Sequence, residues 1–351
     1  MAAPSQLDER LDEIDQQLIE LLGKRLQLLR TAGGAPSPAA AGAWLQVSQA
    51  QAARVGLSAE SLTHWLRHAD SICQREAGVR TPIVFLGPIY SYSYLAAVKH
   101  FGLAADLVPV TSIGAAFDEV VRGQAKYGVV PIENSTDGRV VDTLGMFARW
   151  PVEICGEVLL PVHHCLLGRC TRAEVTVVQS KPQALSQCRM WLSQHVPDAQ
   201  LVEVASTAAA AALAAKTPGA AAIASLEAGL HHGLQVIDAN IEDNPNNVTR
   251  FAVIGNRPTP PSGHDKTSLM FQLNHRPGAL ASAMNAFQHY NVNLTWIESF
   301  PLPNCPNEYL FFVELEGHKD ESDVAHALQE LRTGARRLEV LGSYRRGEIA
   351  D

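Results

Sequence analysis

From residue 82 to residue 237, short apolar runs alternate with helical stretches, and no other feature of this chain restricts its fold as much. The runs are 83–86, 107–110 and 127–131, then 175–178, 201–204, 221–225 and 234–237. Between them lie stretches with helical spacing at 94–101, 112–121 (closed by Gly123), 182–196 and 207–216. Runs of four or five apolar residues bounded by turn signals suit strands buried on both faces. Their alternation with helices predicts an α/β domain. The pattern occurs twice, so two similar lobes are expected, with a ligand cleft where strand and helix ends meet between them.

The flanks obey other rules, and 351 residues leave room for further domains. At the N-terminus Leu7, Leu11, Ile14, Leu18, Leu21, Leu22 and Leu28 recur at helical spacing, with Asp8, Glu9, Asp12 and Glu13 in the early turns, where the helix dipole favours anions. A Gly/Pro/Ala connector at 31–42 breaks this helix. A second pair follows at 44–55 and from a Ser58 cap through Leu62, Trp65, Leu66 and Ile72. Residues 1–80 therefore read as an all-α domain. After the Pro-rich linker 258–263 the order is strand 267–273, helix 278–290, strands 292–300 and 308–316, helix 322–334, strand 337–344. This βαββαβ order over 265–346 is that of a ferredoxin-like sandwich.

A net charge of -8 without a Lys/Arg block excludes general nucleic-acid or membrane-surface binding. Cys73, Cys155, Cys165, Cys170, Cys188 and Cys305 form no C-x-x-C pair, which argues against zinc and for reduced, partly buried thiols. No apolar run is long enough to span a bilayer and the N-terminus is polar and acidic, so a cytoplasmic protein is expected. Among candidate site residues, Asn244 to Phe251 gathers three amides, a hydroxyl and the Arg250 guanidinium where a strand begins at Phe251. Such donors suit an anionic ligand.

Ordered motifs over 82–256 resemble the prephenate dehydratase family: Leu86-Gly-Pro88 with Ser91-Tyr92-Ser93, Val130-Pro-Ile-Glu-Asn-Ser-Thr-Asp-Gly138, His164-Cys-Leu-Leu167, Ser180-Lys-Pro-Gln-Ala-Leu-Ser-Gln-Cys188, Ser206-Thr207, Ala224-Ser225 and Thr249-Arg250-Phe251. The resemblance implies a two-lobed, periplasmic-binding-protein-like domain. It also implies conversion of prephenate to phenylpyruvate, with loss of water and carbon dioxide and no metal or organic cofactor. It makes Thr249 the donor toward the departing hydroxyl, Glu133 its positioner or a proton source, and Arg250 the anchor of a carboxylate. Asn134, Ser180, Gln183, Gln187 and Ser206 are expected on the pyruvyl side chain, with Ser135, Thr143 and Phe251 also in the substrate-binding set. Two positions depart from the family: Tyr90 stands where glycine is usual, and Lys181 replaces a histidine, giving a fixed charge and no proton switch.

His275-Arg-Pro-Gly-Ala-Leu280 and Asn293-Leu-Thr-x-Ile297-Glu-Ser-Phe-Pro301 resemble the two motifs of the phenylalanine-binding ACT domain. They make Pro277, Gly278, Ala279, Leu280, Asn293, Leu294, Glu298 and Ser299 the candidate effector site, with Phe300 where arginine is common. Ile14-Asp15-x-x-Leu18-Ile19-x-Leu21-Leu22-x-x-Arg25 resembles the helical chorismate mutase domain, Arg25 standing at a substrate arginine. Asp8 replaces a second arginine, the connector carries no base and 43–57 no acid, so the domain reads as a degenerate mutase. A dianion bracketed by cations cannot be held by one arginine. The expectation is a multidomain α/β dehydratase inhibited by phenylalanine, a homodimer or homotetramer. The alternatives are a bifunctional mutase/dehydratase, an arogenate dehydratase and a non-catalytic amino-acid sensor.

Overall fold

The computed structural model describes residues 6–32, 49–302 and 308–348. The connector from residue 33, the helix start expected at residue 44 and Cys305 lie outside the described residues. The chain divides into two compact units, Met1–Pro82 with Ala97–Asp106, and Ile83–Ala96 with Leu107–Asp351.

The first unit holds α1 (Gln6–Thr31), α2 (Gln49–Arg54) and α3 (Ala59–Glu76). Ser58 caps α3, its Oγ accepting the Ser61 amide at 3.0 Å. The helices α1 and α3 are joined by ion pairing of Arg25 with Asp70, whose other oxygen takes Gln74 Nε2 at 2.6 Å. Leu7, Leu11, Ile14, Leu18 and Leu21 of α1 stay exposed among the described residues, in contrast to the buried stripe that the helical spacing suggests.

The second unit begins with β1 (Ile83–Leu86), the start of α4 (Tyr92–Phe101, counted with the first unit from Ala97), β2 (Leu107–Val110), α5 (Ile113–Val121), β3 (Tyr127–Asn134), β4 (Gly138–Arg139), α6 (Val141–Phe147) and β5 (Glu153–Pro161). It continues with β6 (Cys165–Gly168), β7 (Val177–Ser180), α7 (Pro182–Gln187), α8 (Arg189–His195), β8 (Gln200–Glu203), α9 (Thr207–Ala214), β9 (Ala220–Ala224), α10 (Leu226–His231), β10 (Gln235–Asp238) and β11 (Val248–Gly255). These strands make two sheets, one per lobe: β2-β1-β3-β11-β5, with β4 on β3, and β10-β6-β9-β7-β8. The chain leaves the first lobe after β5 and returns to it as β11, which pairs antiparallel with both β3 and β5.

The last part is β12 (Asp265–Leu273), α11 (Ala279–His289), β13 (Leu294–Pro301), β14 (Tyr309–Glu316), α12 (Ser322–Gly334) and β15 (Ala335–Arg345), an antiparallel sheet ordered β13-β14-β12-β15. One face buries Leu269, Phe271 and Val313 against Ala283, Phe287 and Leu328 of the two helices. The other shares a core with the first lobe, where Met270, Phe312 and Leu341 meet Ile132, Phe147 and Ile154. Gly342 permits this approach, since a Cβ there would clash with the Ile154 carbonyl oxygen.

Four sequence expectations change. The strand at 127–131 runs on to Asn134, and the one expected from Phe251 begins at Val248. The helix at 182–196 is broken at Cys188. The strand at 175–178 lies at Val177–Ser180.

Candidate active site

Two crossovers join the lobes, and they are paired. Val162 N donates to Asn247 O at 2.8 Å and Ile241 N to His164 O at 2.9 Å. Glu242 fastens them: one carboxylate oxygen accepts His164 N at 2.8 Å and the other lies 2.7 Å from His163 Nδ1. His164 is buried, and burial lowers its pKa against a smaller opposing pull from its Gln187 hydrogen bond. The neutral ring can then donate from Nε2 to Gln187 Oε1 (3.0 Å) while Nδ1 faces Tyr92 Oη (3.0 Å).

A row of side chains carries on from this hinge to the first lobe. Gln187 Oε1 also accepts Asn247 Nδ2 at 3.1 Å. Asn247 Oδ1 accepts Asn134 Nδ2 at 2.9 Å, and the second hydrogen of that nitrogen goes to Thr249 Oγ1 at 2.8 Å. Asn134 Oδ1 takes the amides of Thr136 and Asp137 at 3.0 and 3.1 Å. Every polar atom of the Asn134 side chain is thus committed. Thr249 accepts from it, so the hydroxyl proton of this half-buried residue is directed elsewhere. Opposite, the Asp137 carboxylate bonds the side-chain amides of Gln183 and Gln187, the latter at 2.8 Å, and Lys181 is exposed at the cap position of α7.

The structure brings Asn134, Thr249, Gln183 and Gln187 together, with Ser135 beside them bridging to Val248 N at 2.9 Å. Asn247, one of the three amides of the Asn244–Phe251 cluster, belongs to the same arrangement, and so do Asp137, His164 and Tyr92, which lie inside family motifs without a role of their own in the sequence pattern. Nothing in the sequence shows that the Asp137 carboxylate reaches the other lobe.

Arg250 and Glu133 correct the expectation. They are cross-strand partners, and so are Thr249 and Asn134. Side chains alternate along a strand, so the first pair points to the opposite face from the second. Arg250 is 7% exposed: its Nε meets Glu133 Oε2 at 3.1 Å, and Nη1 meets Glu314 Oε1 at 2.5 Å and Glu157 Oε2 at 3.5 Å. Lys266 Nζ adds contacts to Glu157 at 3.0 Å and Glu314 at 3.3 Å. Arg250 is thus held by carboxylates of the chain itself and Glu133 does not face Thr249.

Other expected residues are also spoken for. Thr143 is fully buried and donates to Pro131 O at 2.6 Å; Ser180, equally buried, donates to Ile223 O at 2.7 Å. Ser206 caps α9, accepting Ala209 N at 3.1 Å, and Phe251 is core. Tyr90 carries the left-handed backbone (φ 66°) for which glycine is suited, and its ring stacks on His231 at 4.1 Å. In the C-terminal sheet Glu298 turns to Arg139 Nη1 at 2.7 Å. Leu294 pairs with Leu315 and so lies level with Thr267 near the start of β12, whereas Ser299 lies level with Phe271, near the Gly278 loop. Within one chain Asn293 and Leu294 are thus at the far end of the sandwich from Pro277, Gly278, Ala279 and Leu280.

Among the described residues no group of His, Cys, Asp or Glu is placed to hold a metal ion, and no helix is long and apolar enough to cross a membrane. Residues 83–259 match the family described as prephenate dehydratase. A bifunctional chorismate mutase/prephenate dehydratase of Aquifex aeolicus is 37% identical over 351 residues, covering 97% of each chain. The crystal structure of prephenate dehydratase from Arthrobacter aurescens in complex with L-Phe has a TM-score of 0.70 at 33% identity, covering 76% of this chain and 90% of that one. GqqA, described as a novel type of quorum quenching acylases, has a TM-score of 0.69 at 31% identity, covering 75% of this chain and 97% of its own.

Proposed function

This chain belongs to the prephenate dehydratase family, and we propose that it turns prephenate into phenylpyruvate in the hinge cleft lined by Thr249, Asn134, Asn247 and Gln187. The observation that carries this assignment is the hydrogen bond from Asn134 Nδ2 to Thr249 Oγ1. A hydroxyl that accepts one strong bond is a better donor, because hydrogen bonds in a row polarise one another. Thr249 therefore presents a donor to the ring hydroxyl as it departs. As the ring carboxylate leaves as carbon dioxide, its bonding electrons close the aromatic ring and expel the hydroxyl, which with one proton becomes water. An alcohol is too weak an acid to deliver that proton alone, so Thr249 stabilises and orients the leaving oxygen. Gln183 and Gln187 are the donors for the pyruvyl carboxylate, with the Lys181 charge nearby.

The C-terminal sandwich is assigned as an ACT domain that binds phenylalanine and lowers turnover; the likeness to a dehydratase solved with L-Phe supports this. Two separated halves of the candidate effector site, and the exposed apolar stripe of α1, support a homo-oligomer. Free thiols at Cys73, Cys155, Cys165, Cys170 and Cys188 support a cytoplasmic setting. The helical unit is assigned no mutase activity, because Arg25 is engaged by Asp70. Its similarity to bifunctional relatives along nearly the whole chain favours the opposite reading. Purified protein given prephenate or chorismate, each with and without phenylalanine, tests both. Phenylpyruvate from prephenate alone is expected, and less of it with phenylalanine. Product from chorismate would restore the mutase, and turnover of arogenate in preference to prephenate would change the substrate.

A further inference from the structure

We propose that the C-terminal sandwich supplies a positioning residue to the dehydratase site, Trp296, which acts on Thr249 through Glu133. This rests on the role given to Thr249 above. A register shift between Leu294 and Trp296 turns the half-buried indole toward the first lobe, where it packs against the shared core. Its Nε1–H donates to Glu133 Oε1 at 3.1 Å, while Glu133 Oε2 takes Arg250 Nε at 3.1 Å. The Arg250 guanidinium carbon lies 5.2 Å from the indole centroid, so the three side chains close a triangle.

The triangle sits on the back of the strand pair whose front carries the site. Glu133 faces Arg250 and, one step along, Asn134 faces Thr249. Directly after this, the register of β3 and β11 shifts, Phe251 pairing with Pro131, which leaves Ile132 as the extra residue. A bulge interrupts the ladder and lets the strand bend. Strand β11 stays in register with β5 from Val248 to Val253, so it is the Asn134 end of β3 that the ladder fixes less and that takes its geometry from what grips Glu133. Glu314 and Glu157 hold Arg250, Trp296 is the added grip on Glu133, and the quantity it sets is the 2.8 Å separation of Asn134 Nδ2 from Thr249 Oγ1.

The test compares Trp296→Phe, Glu133→Ala and the double variant in the full-length protein. Phenylalanine fills most of the indole volume without its donor. We expect Trp296→Phe to lower kcat about five- to tenfold with KM unchanged, the loss of one hydrogen bond to a charged group. The double variant should be no slower than Glu133→Ala alone, since both remove one path. Amide hydrogen exchange of residues 131–135 and 247–251 should quicken in Trp296→Phe while exchange in β12 and β15 stays as in wild type. Full kcat, losses that multiply in the double variant, or unaltered exchange at 131–135 and 247–251 would each overturn the proposal. Wild-type protein that makes no phenylpyruvate would overturn the dehydratase reading instead, and exchange in Trp296→Phe would still decide the role of Trp296.

Discussion

Thr249 and Asp137 face the same cleft and should fail in opposite ways. Removing a donor used chiefly as charge develops on the leaving oxygen lowers turnover and spares binding. Thr249→Ala should cut kcat by about 10²- to 10³-fold at similar KM, the usual loss for one such donor; steady-state kinetics that show full turnover would remove Thr249 from the role. Asp137 already occupies Gln183 and Gln187 with its own carboxylate. A substrate carboxylate must displace it, and a competing internal contact weakens apparent affinity by the fraction of free sites. Asp137→Ala should therefore lower the KM for prephenate about three- to tenfold with kcat unchanged; a raised KM would make Asp137 a substrate contact. That Thr249 and Asn134 lie together was legible because family motifs mark both. The place of Asp137 was not, because its partners lie 46 and 50 residues away on the other lobe.

At the scale of the element, β11 has two working faces, and the sequence reading treated it as one. A loop could present Thr249 and Arg250 together, whereas a strand that begins at Val248 cannot. The apolar run that signals a strand starts at Phe251, so the pattern placed both residues just outside it. The remaining strands of the three sheets were largely legible, since each is a short apolar run. Strand β5 escaped because Cys155, Gly156 and Glu157 interrupt its apolar pattern, and Glu157 is there to meet Arg250 and Lys266. Removing one member of a buried ion cluster leaves uncompensated charge, at about 3–5 kcal/mol. Arg250→Met should lower stability by that order, seen in the urea midpoint, whereas an anchor of the substrate carboxylate would show in KM. Acid should act on the same cluster. Burial pushes the Glu314 carboxyl up, but Arg250 and Lys266 together hold it below the ordinary carboxylate value. A carboxyl depressed in the folded state adds stability above its unfolded pKa and loses it as pH falls through the folded one. The melting temperature should thus fall on acidification through the carboxylate range, and less steeply in Glu314→Gln.

At the scale of the whole molecule, the three-part order was legible, because each part follows its own hydrophobic period, but the arrangement of the candidate effector residues was not. The motif pair around Gly278 and Asn293 reads as one site. Yet β12 and β13 both run antiparallel to β14, and the register of the sheet sets Leu294, with Asn293 before it, six residues of β14 (Leu315 to Tyr309), about 20 Å, from Pro301 at the end nearer Gly278. One chain cannot close both halves on one amino acid. Two copies can, if the loop 277–280 of one meets Asn293 of the other, and each pair of chains then holds two equivalent sites. This gives a test by mixing. Gly278→Val, at a left-handed position (φ 76°) that a branched residue resists, and Asn293→Ala should each abolish inhibition by phenylalanine while leaving turnover of prephenate intact. When the two variants are unfolded together and refolded, hetero-oligomers carry one site with both defects and one with neither. Inhibition should then reappear in about half of the molecules, those that contain one chain of each kind. Each variant refolded alone should stay insensitive. A mixture as insensitive as its parents would place the effector within a single chain, and inhibition retained in both variants would move it to another surface.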